Sequence, residues 1–336
     1  MKRASTTLKI GVLGVARITP ETLVRPASEI NGVELAGIAS RERRRAQTFA
    51  AQYGINRVFD AYHALLDDPE IDAIYIPLPN SLHCEWAIRA LEAGKHVLCE
   101  KPLSSNAHEA RKMVSVADRT SLILMDALHY RYHPLMKRIR ELVPSLGPLV
   151  HIETRFCFLL PRFKDIRYHY SLGGGATMDV GVYTSDMIRQ VAAASRNPAL
   201  LGNPQVIQAK AKLLGSNIDR FMEAELLWEN GTSGYIINSI FSTQVPGVEL
   251  KVTGERGQLH VSNPVTPHHG HQIDVRIDGK SHHESVPGKT SYHYQLLEFE
   301  RRIREECRSP DLDESVATME FLDAVYTAAG LPLRGL

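Results

Sequence analysis

The feature that most constrains this chain is a change in the spacing of its apolar residues near position 145. Before it, short runs that are apolar from end to end alternate with stretches spaced as helices; after it, the spacing drops to two. The runs Lys9–Leu13, Val33–Ala39, Ala73–Pro77, His96–Cys99 and Leu122–Met125 read as strands covered on both faces. Between them, Arg41–Tyr53, Leu82–Ala93 and Ala107–Arg119 carry helical spacing. Gly54 and Gly94 stand just past two of these helices, where a left-handed cap takes glycine. Strand–helix–strand repetition predicts an α/β fold with a doubly wound parallel sheet of Rossmann type.

In the second half, Val150, Ile152, Phe156 and Phe158 form the apolar set of one strand, and Ile207, Ala209, Ala211 and Leu213 that of another. Alternation continues through Met222–Trp228, Val248–Val252 and Ile273–Ile277, and Asn230-Gly231 marks a hairpin. These residues predict an α+β domain built on one open, mostly antiparallel sheet with a solvated face. Helices at Ala176–Ala194, Tyr292–Arg304 and Glu314–Ala329 are expected over the other face. The halves meet near Pro144–Pro148, and the domains are taken as residues 1–128 and 129–336.

Lys+Arg 39 against Asp+Glu 38 leaves a formal charge of +1, so no net field favours nucleic acid or an anionic membrane. No apolar run reaches the ~18 residues of a spanning helix. The four cysteines lie far apart with no C-x-x-C pair, which reads as reduced thiols in a cytoplasmic protein.

The first strand runs into Gly14-Val15-Ala16-Arg17-Ile18-Thr19, where a Gly-x-Gly-x-x-Gly fingerprint belongs, with Ala16 and Thr19 in place of two glycines. Gly14 can make the tight turn, and Ala16 is small enough for a pyrophosphate to approach. On these residues alone a dinucleotide site and an ordinary strand-to-helix turn both remain open. Pro20 and Pro26 predict a short or kinked helix after it. The second strand ends in Ser40-Arg41, followed by Arg43, Arg44 and Arg45. Glu34 lies about the usual ~20 residues along, but it stands at the start of that strand, the wrong end to meet a ribose. A hydroxyl and guanidinia at the right end suit a 2′-phosphate, so NADP(H) is expected over NAD(H).

Ile74–His83 and His96–Pro102 place Pro79, Asn80, His83, Glu100 and Lys101 beyond the ends of parallel strands, where such folds bind ligands. Pro102 keeps Lys101 in an extended backbone. Further on, Gly173-Gly174-Gly175, read as a flexible run, opens a helix bearing Asp179 and Tyr183, four apart on one face. They fit a catalytic pair, or a helix cap and a core tyrosine. The cluster His268-His269-Gly270-His271, between prolines and without cysteine or fixed carboxylate spacing, reads as a solvated or substrate-rim loop; no metal site is assigned.

Taken in order, Ala39–Ala46 (A-S-R-x-x-x-R-A), L-P-N-S-L-H, A-L-E-A-G-K-H-V-L-C-E-K-P, Y-R-Y-H-P (Tyr130–Pro134), Asp165-Ile166-Arg167 and G-G-G-A-x-x-D-V-G-V-Y resemble the glucose–fructose oxidoreductase / inositol dehydrogenase / rhizopine catabolism (Gfo/Idh/MocA) family over nearly the whole length. The resemblance implies that Lys101 and Tyr183 face a nicotinamide across a domain cleft with Asp179 close by. It also implies that Asn80, His83, Glu100 and Arg131 line the cofactor side. Tyr at 183, where the inositol-type branch has His, points to the dihydrodiol-, xylose- and sugar-ketoreductase-like branches. One departure stands out: Asp126-Ala127-Leu128-His129 replaces the usual Glu-Ala, an aromatic or Asn, then Met or Thr.

These readings predict an NADP(H)-dependent oxidoreductase acting on a carbonyl or secondary alcohol of a sugar-like substrate. Lys101, Tyr183 and Asp179 are the catalytic candidates, and Arg167 with Tyr183 the substrate ones. Gly14, Ala16, Arg17, Ile18, Ser40, Arg41, Arg45, Pro79, Asn80, His83, Glu100, Lys101 and Arg131 are expected at the cofactor. An NADPH-binding regulator without catalysis and a sugar–sugar oxidoreductase with tightly held cofactor remain as alternatives. A homodimer or homotetramer through the open sheet is expected, on the argument that a broad apolar patch rarely stays uncovered.

Overall fold

The computed structural model describes residues 7–241, 246–307 and 311–335; residues 1–6 and 336 of the expected domains lie outside them. The chain divides into two compact units. One comprises Met1–Ser104, His108–Leu128 and Tyr292–Asp313, the other Ser105–Ala107, His129–Ser291 and Glu314–Leu336. One division between the units falls at 128/129, and Tyr292–Asp313 groups with the first unit.

The first unit holds six parallel strands: β1 (Leu8–Leu13), β2 (Val33–Ala39), β3 (Val58–Phe59), β4 (Ala73–Ile76), β5 (His96–Cys99) and β6 (Leu124–Asp126). Their order is β3-β2-β1-β4-β5-β6. Ile10, Val12, Ile38, Ile74, Tyr75, Ile76 and Val97 are fully buried, which is why these strands lack polar alternation. The order reverses between β1 and β4, and ligands of such sheets bind beyond the carboxyl ends at that point. The helix after β1 is broken as its prolines dictate, into Pro20–Val24 and Arg25–Glu29. Edge strand β3 was not anticipated; two residues carry no period.

The second unit holds β7 (Leu149–Cys157), β8 (Gln205–Leu214), β9 (Ile218–Leu227), β10 (Ser233–Ser239), β11 (Gly247–Gly254), β12 (Gly257–Ser262), β13 (Gln272–Ile277) and β14 (Lys280–Glu284). The order is β14-β13-β12-β11-β7-β10-β9-β8, and β7–β10 is the parallel pairing in an otherwise antiparallel sheet. Asn230-Gly231 turns β9 into β10, with the Trp228 N–H donating to the Thr232 carbonyl at 2.9 Å. Ile152, Met222, Ala224, Leu226, Ile236, Leu250 and Val252 are buried, and helix Val182–Ala194 packs on β7 and β10.

Val150 and Ile207, read as inward, are 49% and 50% exposed. Each sits at a shift in pairing register, where an extra residue turns out of the ladder. Among the described residues the outer face is largely polar: Arg155–Glu249 (2.6 Å), Tyr235–Glu223 (2.7 Å) and Lys251–Glu153 (3.3 Å) pair across its strands. Helix Ser291–Arg304 belongs, from Tyr292 on, to the first unit. Pro144–Pro148 is a packed corner within the second unit, its Leu146 carbonyl accepting from the Arg256 N–H at 2.9 Å.

Candidate active site

In the first unit the site residues hang from the main chain. Gly14 ends β1 at φ +100°, and its N–H donates to the Ala39 carbonyl at the end of β2 (2.7 Å). A Cβ there would lie 2.9 Å from Leu78 Cδ2, so both conformation and room call for glycine. Arg17 and Ile18 are exposed just beyond, with Ala16 half-buried. Arg45 reaches back to donate to the Val15 carbonyl at 3.1 Å, which ties the arginine-rich helix start to this turn. Ser40 is buried and accepts from the Glu42 N–H, while Arg41 is exposed. Burial pushes the Tyr62 phenol up, and the charges of Arg41 and Arg45 oppose that shift, so positive charge concentrates at the end of β2.

Beneath the turn runs a buried chain of hydroxyls. Thr22 Oγ1 lies 3.1 Å from the Ile18 carbonyl and 2.7 Å from Tyr75 Oη, and Tyr75 donates to Glu100 Oε1 at 2.5 Å. Burial, reinforced by Glu100, drives the Tyr75 phenol well up, so it stays a donor. The Glu100 carboxylate in turn accepts from the Lys101 N–H at 3.4 Å. Pro79 leads into the turn Asn80–Leu82, and all of Pro79, Asn80, Glu100 and Lys101 are half-buried. His83, expected to line the cofactor, is fully buried with Nδ1 2.8 Å from the Pro102 carbonyl and Nε2 2.8 Å from the Leu78 carbonyl. Both ring nitrogens are taken, so His83 fixes the two loops against each other. Burial pulls its pKa down.

In the second unit the groups are held by one another. Tyr183 begins the helix Val182–Ala194, and its hydroxyl lies 3.1 Å from His129 Nε2; His129 Nδ1 is 2.7 Å from Ser291 Oγ. The rings of Phe156 and Tyr130 flank Tyr183, with centroids 5.7 and 6.0 Å away. Arg131, also expected at the cofactor, is buried and donates its Nε to Asp186 Oδ2 at 2.9 Å, with a second contact from Nη2 to Oδ1. Tyr130 donates to the same carboxylate. Asp186 thus anchors His129–Tyr132 to the helix that carries Tyr183. Nothing marked it in the sequence beyond a carboxylate among apolar helix residues.

Asp179 lies in a π-helical turn, Thr177–Gly181, and accepts from Arg167 Nε at 2.7 Å; Arg167 also reaches Asp165 at 3.0 Å. The two carboxylates drive the Arg167 pKa up, Asp179 most of all. The glycine run before it is packed, not flexible: Gly175 has φ +132°, and a Cβ would fall 2.2 Å from Asp219 Oδ1. His133 closes the Tyr130–Pro134 motif by capping helix Pro134–Leu142, its Nδ1 accepting from the Leu135 N–H at 3.0 Å. Burial and the neighbouring His271 and His268 pull the His133 pKa down to about 4. With His268 and His271 it lines a hollow of about 310 Å³. His271 donates to the Pro267 carbonyl (2.9 Å) and accepts from the Val286 N–H (2.9 Å), so both its nitrogens are engaged.

Among the described residues no helix is long and apolar enough to cross a membrane. Residues 8–127 match the family model described as "Oxidoreductase family, NAD-binding Rossmann fold", and residues 136–260 match the GFO/IDH/MocA C-terminal domain. A D-xylose 1-dehydrogenase (NADP(+)) of Haloferax volcanii is 33% identical over 326 residues, covering 96% of this chain and 97% of the relative. A dTDP-3,4-didehydro-2,6-dideoxy-alpha-D-glucose 3-reductase of Saccharopolyspora spinosa is 32% identical over 302 residues, 88% of each chain. In fold, the crystal structure of a 3-ketoreductase from Actinomadura kijaniata superposes with a TM-score of 0.87, covering 96% of this chain and 98% of that one at 24% identity. The sequence motifs, the paired sheets and these matches agree, and the chain belongs to the Gfo/Idh/MocA family of oxidoreductases.

Proposed function

We propose that this chain is an NADP(H)-dependent oxidoreductase that moves a hydride between nicotinamide and a carbonyl or secondary alcohol of a sugar or sugar-like substrate. Tyr183 is its acid/base and Lys101 the assisting cation. The observation that carries the cofactor choice is the tie from Arg45 to the Val15 carbonyl, which sets Ser40 and Arg41 beside the Gly14 turn. That arrangement fits the group: a backbone turn cleared of a Cβ, next to exposed guanidinia suited to a 2′-phosphate. The relatives named for NADP(+) and for sugar substrates support the same reading.

Gly14, Ala16, Arg17 and Ile18 would hold the pyrophosphate, Ser40, Arg41 and Arg45 the 2′-phosphate, and Pro79, Asn80, Glu100 and Lys101 the remaining cofactor side. The nicotinamide, when bound, supplies or takes the hydride. The chain must then handle one proton. Reduction builds negative charge on a carbonyl oxygen; Tyr183 protonates it, and the Lys101 ammonium stabilises the developing alkoxide while favouring the phenolate. His83 and Glu100 hold the backbone on either side of Lys101. The Arg167–Asp179 pair, with Arg167 about a third exposed, binds substrate hydroxyls.

Lys101→Ala and Tyr183→Phe are each expected to lower turnover ~10²-fold or more, with thermal stabilisation by NADPH retained. Near-wild-type turnover in both would sink the assignment. A wild-type protein that NADPH stabilises, but that turns over no aldose, ketosugar or dihydrodiol, would favour the regulatory alternative.

A further inference from the structure

We propose that His129 is the group with which Tyr183 exchanges its proton, so that the acid/base unit is a chain of three: Tyr183, His129 and Ser291. This rests on the reading of Tyr183 as the acid/base. Tyr183 is 6% exposed and His129 2%. A phenol that changes protonation once per turnover while buried needs a route for its proton. One contact that offers a route is the 3.1 Å approach of its hydroxyl to His129 Nε2.

The relay takes one of the two tautomers that the Ser291 hydroxyl, able to donate or accept, can partner. Nδ1 lies 2.7 Å from Ser291 Oγ; with Nδ1–H donating to that oxygen, Nε2 carries the lone pair and accepts from Tyr183 O–H. In that tautomer Ser291 does for His129 what an orienting acceptor does for a general base: it holds the ring and stabilises the imidazolium. Within the second unit, the titratable groups near this chain include Tyr130, the Asp186–Arg131 pair and, one turn before Tyr183, Asp179 paired with Arg167. Tyr130 gives its hydroxyl to Asp186, and Asp186 is paired with Arg131, so their charges balance. Phe156 packs on Tyr183 and contributes no charge.

In the oxidative direction the alcohol proton passes to Tyr183 Oη as the Tyr183 proton passes to His129 Nε2. The C–H electron pair leaves as hydride to oxidised nicotinamide. The products are ketone, reduced nicotinamide and imidazolium at position 129. In reduction the imidazolium returns its Nε2 proton to Tyr183 Oη while Tyr183 protonates the carbonyl oxygen. Each direction moves one proton and one hydride. A neutral His129 therefore favours oxidation, and a protonated one reduction.

The experiment is the pH profile of kcat for the oxidative reaction in the wild type, His129→Gln and His129→Met, run beside Tyr183→Phe. Imidazole 15N chemical shifts of the unliganded wild-type protein and of Tyr183→Phe are recorded in parallel. The expected result is an acid limb in the wild type that both His129 variants shift to higher pH. Near pH 7 the variants fall at least ~10-fold below wild type, and they converge on it in the alkaline range. The 15N spectra should show His129 with Nδ1 protonated at neutral pH and an apparent pKa that moves when Tyr183 loses its hydroxyl. A loss of the same factor at every pH, or superimposable profiles, overturns the relay and leaves His129 a packing residue. The opposite tautomer, with an unmoved pKa, overturns it as well. Active Tyr183→Phe instead overturns the underlying reading, so the two failures are distinguishable.

Discussion

The two units hold their polar groups in different ways. In the first, the anchors are main-chain atoms: Gly14 N–H to the Ala39 carbonyl, Arg45 to the Val15 carbonyl, His83 between the carbonyls of Leu78 and Pro102. In the second, side chains hold side chains: Arg131 and Tyr130 on Asp186, Arg167 on Asp179, His129 between Tyr183 and Ser291, Arg334 on Asp219. A carbonyl stays in place when a neighbouring residue changes. A buried side-chain network loses every member's geometry with the loss of one.

The contrast breaks most visibly through Asp186. Asp186→Ala leaves the Arg131 guanidinium buried and unpaired, at an expected cost of about 3–5 kcal/mol. Arg45→Ala removes a surface tie and should cost under about 1 kcal/mol. Urea unfolding of both variants decides it, and similar losses would erase the distinction. The next largest effect is acid lability of the second unit through His133. Its folded pKa, about 4, lies below the ~6.5 of an unfolded histidine. The unfolded chain therefore binds the extra proton first, so the stability due to neutral His133 is complete above ~6.5 and lost as pH falls toward 4. We expect about 2–3 kcal/mol over that window, and His133→Asn, which can cap without titrating, should flatten it. An unchanged slope in the variant would assign the acid limb to other groups. The smallest effect belongs to the exposed end of the first unit. Arg41→Ala should weaken NADPH roughly 5- to 10-fold while leaving NADH almost unchanged; equal weakening of both would remove the 2′-phosphate role.

The same contrast explains what could be read in advance. The end of β1 and the start of the arginine-rich helix were legible because backbone demands leave local marks: glycine where φ is positive, apolar runs where both faces are covered. His96–Cys99 and Val33–Ala39 match the observed strands residue for residue. The networks of the second unit left no such mark. Asp186 was invisible because the helix period says nothing about which carboxylate meets which arginine 55 residues away in the chain. The bonds of Arg131 to Asp186 and of His83 to two carbonyls are likewise not marked in the sequence. Val150 and Ile207 were misplaced because a bulge adds one residue to a period of two, which no alternation rule records. The glycines before Asp179 looked like slack, yet Gly175 stands where the Asp219 carboxylate leaves no space for a side chain.

The return of Tyr292–Asp313 to the first unit has a consequence for how the protein is made. Within that unit, His293 Nδ1 lies 3.2 Å from Glu29, and Arg304 reaches the Gly32 carbonyl at 3.4 Å. The Rossmann sheet emerges from the ribosome first, but the helix that completes its unit follows only after nearly the whole second sheet has been synthesised. Domain-by-domain folding during translation, the usual course for chains of this size, is therefore closed to the N-terminal segment. A fragment ending at Leu128 would be an unfinished unit without the Tyr292–Asp313 segment that packs on it.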